Sequence, residues 1–103
     1  MTNAKLVKLV EAMKVKGLMC VFGWYTTKYD GHIQRLHPAD ARRIVRCELE
    51  DRLAKNGTFR LTFWAERLWT VERLLGFEWG AVGSSRCDPL DALAEAWERS
   101  KGK

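Results

Sequence analysis

Apolar positions recur along this chain with two periods, and the places where the period changes divide it into elements. Leu6, Leu9, Val10 and Met13 fall on one face of a helical wheel and Lys5, Lys8 and Glu11 on the other, a spacing that predicts a helix over residues 4–16. Asn3 is the expected N-cap, and Gly17 suits the position just past the end. The stretch LMCVFGWYTTKYDGHIQRL is rich in Val, Phe, Trp, Tyr and Thr, side chains that fit a pleated, half-buried surface. Asp30-Gly31 is a type I′ turn signal, so residues 18–28 and 32–36 are expected to pair as a β-hairpin. Gly23 would mark a bulge or a close backbone contact.

A second helix is announced by Pro38, suited to a first helical position, and by Asp40 in the first turn, where negative charge is favourable. Ala41, Val45, Leu49 and Leu53 repeat every four residues as its core stripe. Glu48 with Arg52 and Asp51 with Lys55 form supporting i,i+4 pairs, and Asn56-Gly57 ends the helix.

Beyond Gly57 the pattern fits two structures. Phe59, Leu61 and Phe63 alternate with Arg60 and Thr62, as in a short strand or as the approach to a helix. Trp64, Leu68, Val71 and Leu75 follow at spacings of four, three and four, which predicts a helix ended by Gly76. At about 100° per residue Trp64 lies in its core stripe, Trp69 at the flank, and Phe63 and Leu74 on the opposite side. Either this helix is central or its far side is exposed, and an exposed aromatic patch marks an interface. Phe77–Val82 fits a brief strand and GSS a loop. DPLDALAEAWERS reads as a final helix with Asp88 as N-cap, Pro89 in the first position and Leu90, Leu93 and Trp97 facing inward. The expectation is one α+β domain over residues 1–103 with a frayed tail at 101–103. It has about four helices, one β-hairpin and room for a third short strand.

Composition changes this picture little. At 103 residues and 47% apolar the chain can bury a core without staples. No apolar run reaches the roughly 20 residues that span a bilayer, and the amphipathic start lacks the pattern of a signal peptide. No membrane association and a cytoplasmic location are expected. Cys20, Cys47 and Cys87 are odd in number and widely spaced, without a Cys-x-x-Cys pair. They predict reduced, mostly buried thiols rather than a disulfide framework or, with His32 and His37, a metal site.

Charge is more telling. Residues 1–46 carry nine basic and three acidic side chains, whereas residues 47–103 carry nine basic and ten acidic ones. The whole excess of positive charge lies in the first part, which points to an acidic partner for it. Arg35 precedes the second helix, and Arg42, Arg43 and Arg46 stand in its first turns, against the helix dipole. With Lys28 near the hairpin tip they form a candidate guanidinium and ammonium cluster for phosphates or carboxylates. Trp24 and Tyr25 are adjacent on a strand and point to opposite sheet faces, so one of them is expected to be exposed.

No catalytic motif is present: no Gly-x-Gly-x-x-Gly, P-loop, His-Glu-x-x-His or Gly-x-Ser-x-Gly. GAVGSS has the glycines and serines of a phosphate cradle, yet the helix after it opens with Asp88 and Asp91, which repel a phosphate. Cys47 with His37 is a formal nucleophile and base, but a mid-helix cysteine among apolar residues reads as inert. No enzyme activity and no cofactor or metal are expected. Helix-turn-helix, zinc-finger and RNA-recognition signatures are also missing. The reading is a small basic protein-interaction module without catalysis. By its size and lack of motifs alone it would suit a phage or mobile-element inhibitor of the anti-CRISPR type. Such a protein docks by occlusion on a host protein or protein–nucleic-acid complex. Its contacts would be Arg35, Arg42, Arg43, Arg46 and Lys28, with Trp24, Tyr25, Phe63 and Trp69 as aromatic anchors. The alternative is direct nucleic-acid binding by the same basic surface, extended by Lys5 and Lys8.

Overall fold

The computed structural model describes residues 1–21, 24–29 and 31–101, without the side chains of residues 21, 28 and 29. In order the elements are α1 (Asn3–Met13), β1 (Met19–Val21), β2 (Trp24–Tyr29), β3 (His32–Leu36), α2 (Pro38–Lys55), β4 (Phe59–Trp64), β5 (Leu68–Leu75), β6 (Glu78–Ser85) and α3 (Pro89–Lys101). The described residues thus form three helices and two three-stranded antiparallel sheets. The class is α+β, but the expected four helices with one hairpin are overturned. Contacts divide the chain into two compact units, Thr2–Glu48 and Leu49–Lys103 with Met1, and the division falls within α2.

In the first unit α1 buries Leu6, Leu9, Val10 and Met13. Its N-cap is Thr2, not Asn3: the Thr2 hydroxyl accepts from the Lys5 N–H at 3.3 Å. The helix stops at Met13 because Lys14 turns left-handed (φ 51°) and donates its N–H to the Val10 carbonyl at 3.0 Å. The run expected as one strand over 18–28 is two strands. Met19 pairs with Thr26, Cys20 with Tyr25 and Val21 with Trp24, so the chain reverses between β1 and β2. The bulge expected at Gly23 and the turn residue Asp30 fall outside the described residues. Gly31 has the positive φ, 79°, that a tight turn requires. Along α2 the residues Ala41, Val45, Leu49 and Leu53 are all fully buried, the stripe that their spacing predicts.

The second unit departs furthest from expectation. The segment 64–75 is no helix: β4 runs through Trp64, and β5 begins at Leu68 and pairs back along it, Leu61 opposite Val71 and Phe63 opposite Trp69. Ala65–Arg67 form a three-residue loop in which Arg67 is left-handed (φ 60°) and donates its N–H to the Trp64 carbonyl at 3.0 Å. This is the known hairpin solution of a tight turn followed by one left-handed residue. Gly76 and Phe77 form the next, two-residue loop, with Gly76 at φ 69°. The segment from Glu78 to Ser85 is a full strand, so the glycines and serines of GAVGSS lie in a β-ladder. A bulge falls there: Val71 pairs with Gly83 and Glu72 with Ala81, leaving Val82 between them.

α3 packs on β6 and β5. It is capped by Asp88, whose carboxylate accepts from the Leu90 N–H at 2.8 Å. It buries Leu90, Ala92, Leu93, Ala94, Ala96 and Trp97. Lys101 is its last residue, and the rest of the expected tail, 102–103, falls outside the described residues. No helix among the described residues is long and apolar enough to cross a membrane.

Candidate functional site

Strand alternation places Trp24 and Tyr25 on opposite faces, and their fates differ. Tyr25 is 2% exposed. Its hydroxyl donates to the Asn3 side chain, and burial pushes its acidity below that of a free phenol. Tyr25 is therefore a core residue and presents no exposed ring to a partner. Trp24 is 54% exposed. The register puts Arg35 opposite Thr26, two residues along from Trp24 and so on the same face, and the Arg35 guanidinium lies over the Trp24 ring. A guanidinium stacked on an indole gains cation–π attraction while its in-plane N–H donors still point outward.

Around this pair the same face carries Met19, 40% exposed, and Ile33, 67% exposed. Beside it lies a recess of about 470 Å³ lined by Asn3, Trp24, Tyr25, Arg35, Leu36, His37 and Pro38. Its floor is fixed where β3 hands over to α2: the His37 ring accepts from the Ala39 N–H at 3.1 Å and caps that helix. Apolar area, a flat aromatic ring and a stacked cation thus occupy one surface.

The remaining predicted contacts do not all converge here. Arg42 is half-buried, and its charge acts on the Tyr25 hydroxyl, which leaves the strand on the side away from Trp24. Arg43 and Arg46 are exposed along α2. Lys28 belongs to β2, but its side chain lies outside the described residues. Trp69 belongs to the second unit, half-buried and tilted against Phe63 with ring centroids 4.6 Å apart. Cys47 is exposed, as is Cys87, while Cys20 is half-buried. The expectation of mostly buried thiols fails because Cys47 stands outside the α2 stripe. The Cys20 thiol is pushed up by burial and by the nearby Glu11 carboxylate. Among the described residues no group of three or more His, Cys, Asp or Glu side chains could hold a metal ion.

Sequence reasoning missed the outer face of the second sheet, because a helical reading placed Trp64 in a core. Trp64 is 47% exposed, and its ring N–H donates to the Thr70 hydroxyl at 2.8 Å. Arg60 forms two hydrogen bonds to Glu72, at 3.3 and 3.2 Å, and lies over the Trp79 ring at 4.2 Å. Thr62 donates to the same carboxylate at 3.0 Å. The signal was present in FRLTFW, whose alternation sends Arg60, Thr62 and Trp64 to one face.

The Arg60 hydrogen bonds hold the Glu72 carboxyl below the usual carboxylate range, against an opposing effect of burial. A depressed folded-state pKa contributes stability that is present above the unfolded value of about 4.3 and is lost as pH falls through the folded value. Urea unfolding followed from pH 6 to about pH 3 should show this loss. In Glu72→Gln that part of the pH dependence should be absent.

Comparison of the chain with protein-family models, curated proteins and solved structures finds no match.

Proposed function

We propose that this protein is a non-enzymatic protein-interaction module that docks an acidic partner surface through the face carrying Trp24 and Arg35. The observation that carries the reading is the exposed Trp24 ring with the Arg35 guanidinium laid across it. Tryptophan and arginine beside apolar neighbours are the side chains that dominate protein–protein hot spots. The basic excess of residues 1–46 supplies long-range attraction to an acidic partner. Such a module acts by occupying its partner's surface, an occlusion that needs no catalytic group. Direct nucleic-acid binding fits this geometry less well, because a base stacking on the Trp24 face covered by Arg35 must first displace the guanidinium.

The test is capture of the partner by tagged wild-type protein and by Trp24→Ala, with each variant's unfolding midpoint measured alongside. Trp24→Ala should weaken partner binding about 30-fold or more, a hot-spot loss of ~2 kcal/mol. Stability should change by about 1 kcal/mol or less, since the ring is mostly exposed. Undiminished capture by the variant would contradict the proposal. So would sequence-independent binding of DNA or RNA that falls steeply with salt.

A further inference from the structure

Among the described residues β4 and β6 are the edge strands of the second sheet, and only one of these edges is blunted. β6 carries a bulge at Val82, and its Ser84 N–H donates to the Glu95 carboxylate at 3.5 Å. Bulges and occupied donors keep an edge from templating another strand. β4 has neither. Its sequence FRLTFW contains no proline and no lysine, and its one charge, on Arg60, is neutralised by Glu72 on the neighbouring strand.

The phase of the β4–β5 ladder shows what that edge presents. The Leu74 N–H donates to the Thr58 carbonyl at 3.0 Å, and these two residues continue the register in which Phe59 faces Arg73. Bonded and non-bonded pairs alternate along an antiparallel ladder. Arg60 and Thr62 therefore bond inward to β5, whereas Phe59, Leu61 and Phe63 turn their N–H and C=O groups to the open edge. Phe63 adds an apolar side chain there, 55% exposed.

We infer that β4 pairs antiparallel with β4 of a second copy of this chain, about a two-fold axis through Leu61. In that register Leu61 meets its own counterpart, Phe59 meets Phe63 and Arg60 meets Thr62. Every outward N–H and C=O of the strand then has a partner. One face gains a row of apolar cross-strand pairs, and on the other neither arginine opposes its like. Centring on Arg60 would set the two arginines against each other, and centring on Thr62 would carry Phe59 past the end of the opposite strand. Slipping by one residue would oppose outward groups to inward ones. The charge balance of this edge suits a second copy rather than the acidic partner that the basic first unit attracts. The pairing is isologous and closed, so it stops at a dimer.

Sedimentation equilibrium of the intact protein, from about 1 to about 500 µM, should show a dimer with Kd of about 10 µM, weak because one short strand per copy is a small interface. Residue-resolved amide exchange by NMR at the two ends of that range tests the register. At the high end exchange at Phe59, Leu61 and Phe63 should slow about tenfold, while Arg60 and Thr62, already bonded within the sheet, should change little. Phe63→Lys should weaken association at least about thirtyfold, since a lysine blunts the edge. Its unfolding midpoint should stay near that of wild type, because the ring is mostly exposed. A chain that remains monomeric throughout, a dimer that leaves those three amides exchanging as in the monomer, or wild-type dimerisation by a folded Phe63→Lys would overturn the inference. The exchange pattern needs no variant and decides the matter if Phe63→Lys does not fold.

Discussion

Gly83→Ala is expected to cost about 3 kcal/mol, the upper part of the range for overpacking a close contact. A Cβ at Gly83 would stand 2.3 Å from the Ala92 carbonyl oxygen, 2.8 Å from the Ala96 nitrogen and 3.1 Å from the Ala96 Cβ. Two of these neighbours are backbone atoms of α3, which cannot rotate aside as a side-chain tip can. The helix must lift from β6, and that separation loosens the packing of Leu93 and Trp97 as well. The glycine is required for closeness rather than for an unusual backbone angle, since Gly83 is not among the residues with positive φ. Urea denaturation followed by circular dichroism measures the loss. Ala96→Gly in the same chain should not restore stability, because the 2.3 Å contact with the Ala92 oxygen remains. A Gly83→Ala protein as stable as wild type would show that α3 does not lie on β6 as described.

Leu93→Ala should cost about 3 kcal/mol by a different route. Leu93 is fully buried on α3, and truncation loses both the transfer of its side chain from water and the contacts around the space left behind. Domains of this size hold only about 5–15 kcal/mol of net stability, so this one change removes a large part of it. The unfolding midpoint in urea should fall while the slope stays constant. A changed slope would mean that the denatured state had changed instead. Helix propensity would favour alanine slightly at this position, so a measured destabilisation is attributable to packing.

The parts of the fold that could be read from the sequence are those in which period, cap and stop agree. α2 has Pro38, a four-residue stripe and Asn56-Gly57. α3 has Asp88, Pro89 and an inward face of Leu90, Leu93 and Trp97. Both elements form where these signals place them. The failures come where two strands follow one another without a strong turn residue. In WAERLW the loop is closed by Arg67 in a left-handed conformation, a state usually signalled by glycine or asparagine. Ala-Glu-Arg-Leu is good helix-forming material, and the chance spacing of Trp64, Leu68, Val71 and Leu75 completed the illusion. Local propensity was overruled by cross-strand pairing, which is a tertiary effect.

The candidate site was legible to a similar degree. The opposed directions of Trp24 and Tyr25 follow from strand alternation alone, and the structure adds that Trp24 is the outward one. That Arg35 should lie over Trp24 depends on the β2–β3 register, which sequence spacing leaves open. The run Arg42, Arg43 and Arg46 looked like part of one cluster because all three are near Arg35 in sequence. Arg42 instead acts on the Tyr25 side, away from the Trp24 face.

The most direct test of the docking surface is site-specific photo-crosslinking from Ile33, which is 67% exposed on the same face as Trp24 and Arg35. A benzophenone amino acid placed there is irradiated in cells of the source organism, in otherwise wild-type protein and in protein carrying Trp24→Ala. A discrete protein adduct that disappears with Trp24→Ala is expected. An adduct to nucleic acid, an adduct indifferent to Trp24, or none at all would contradict it.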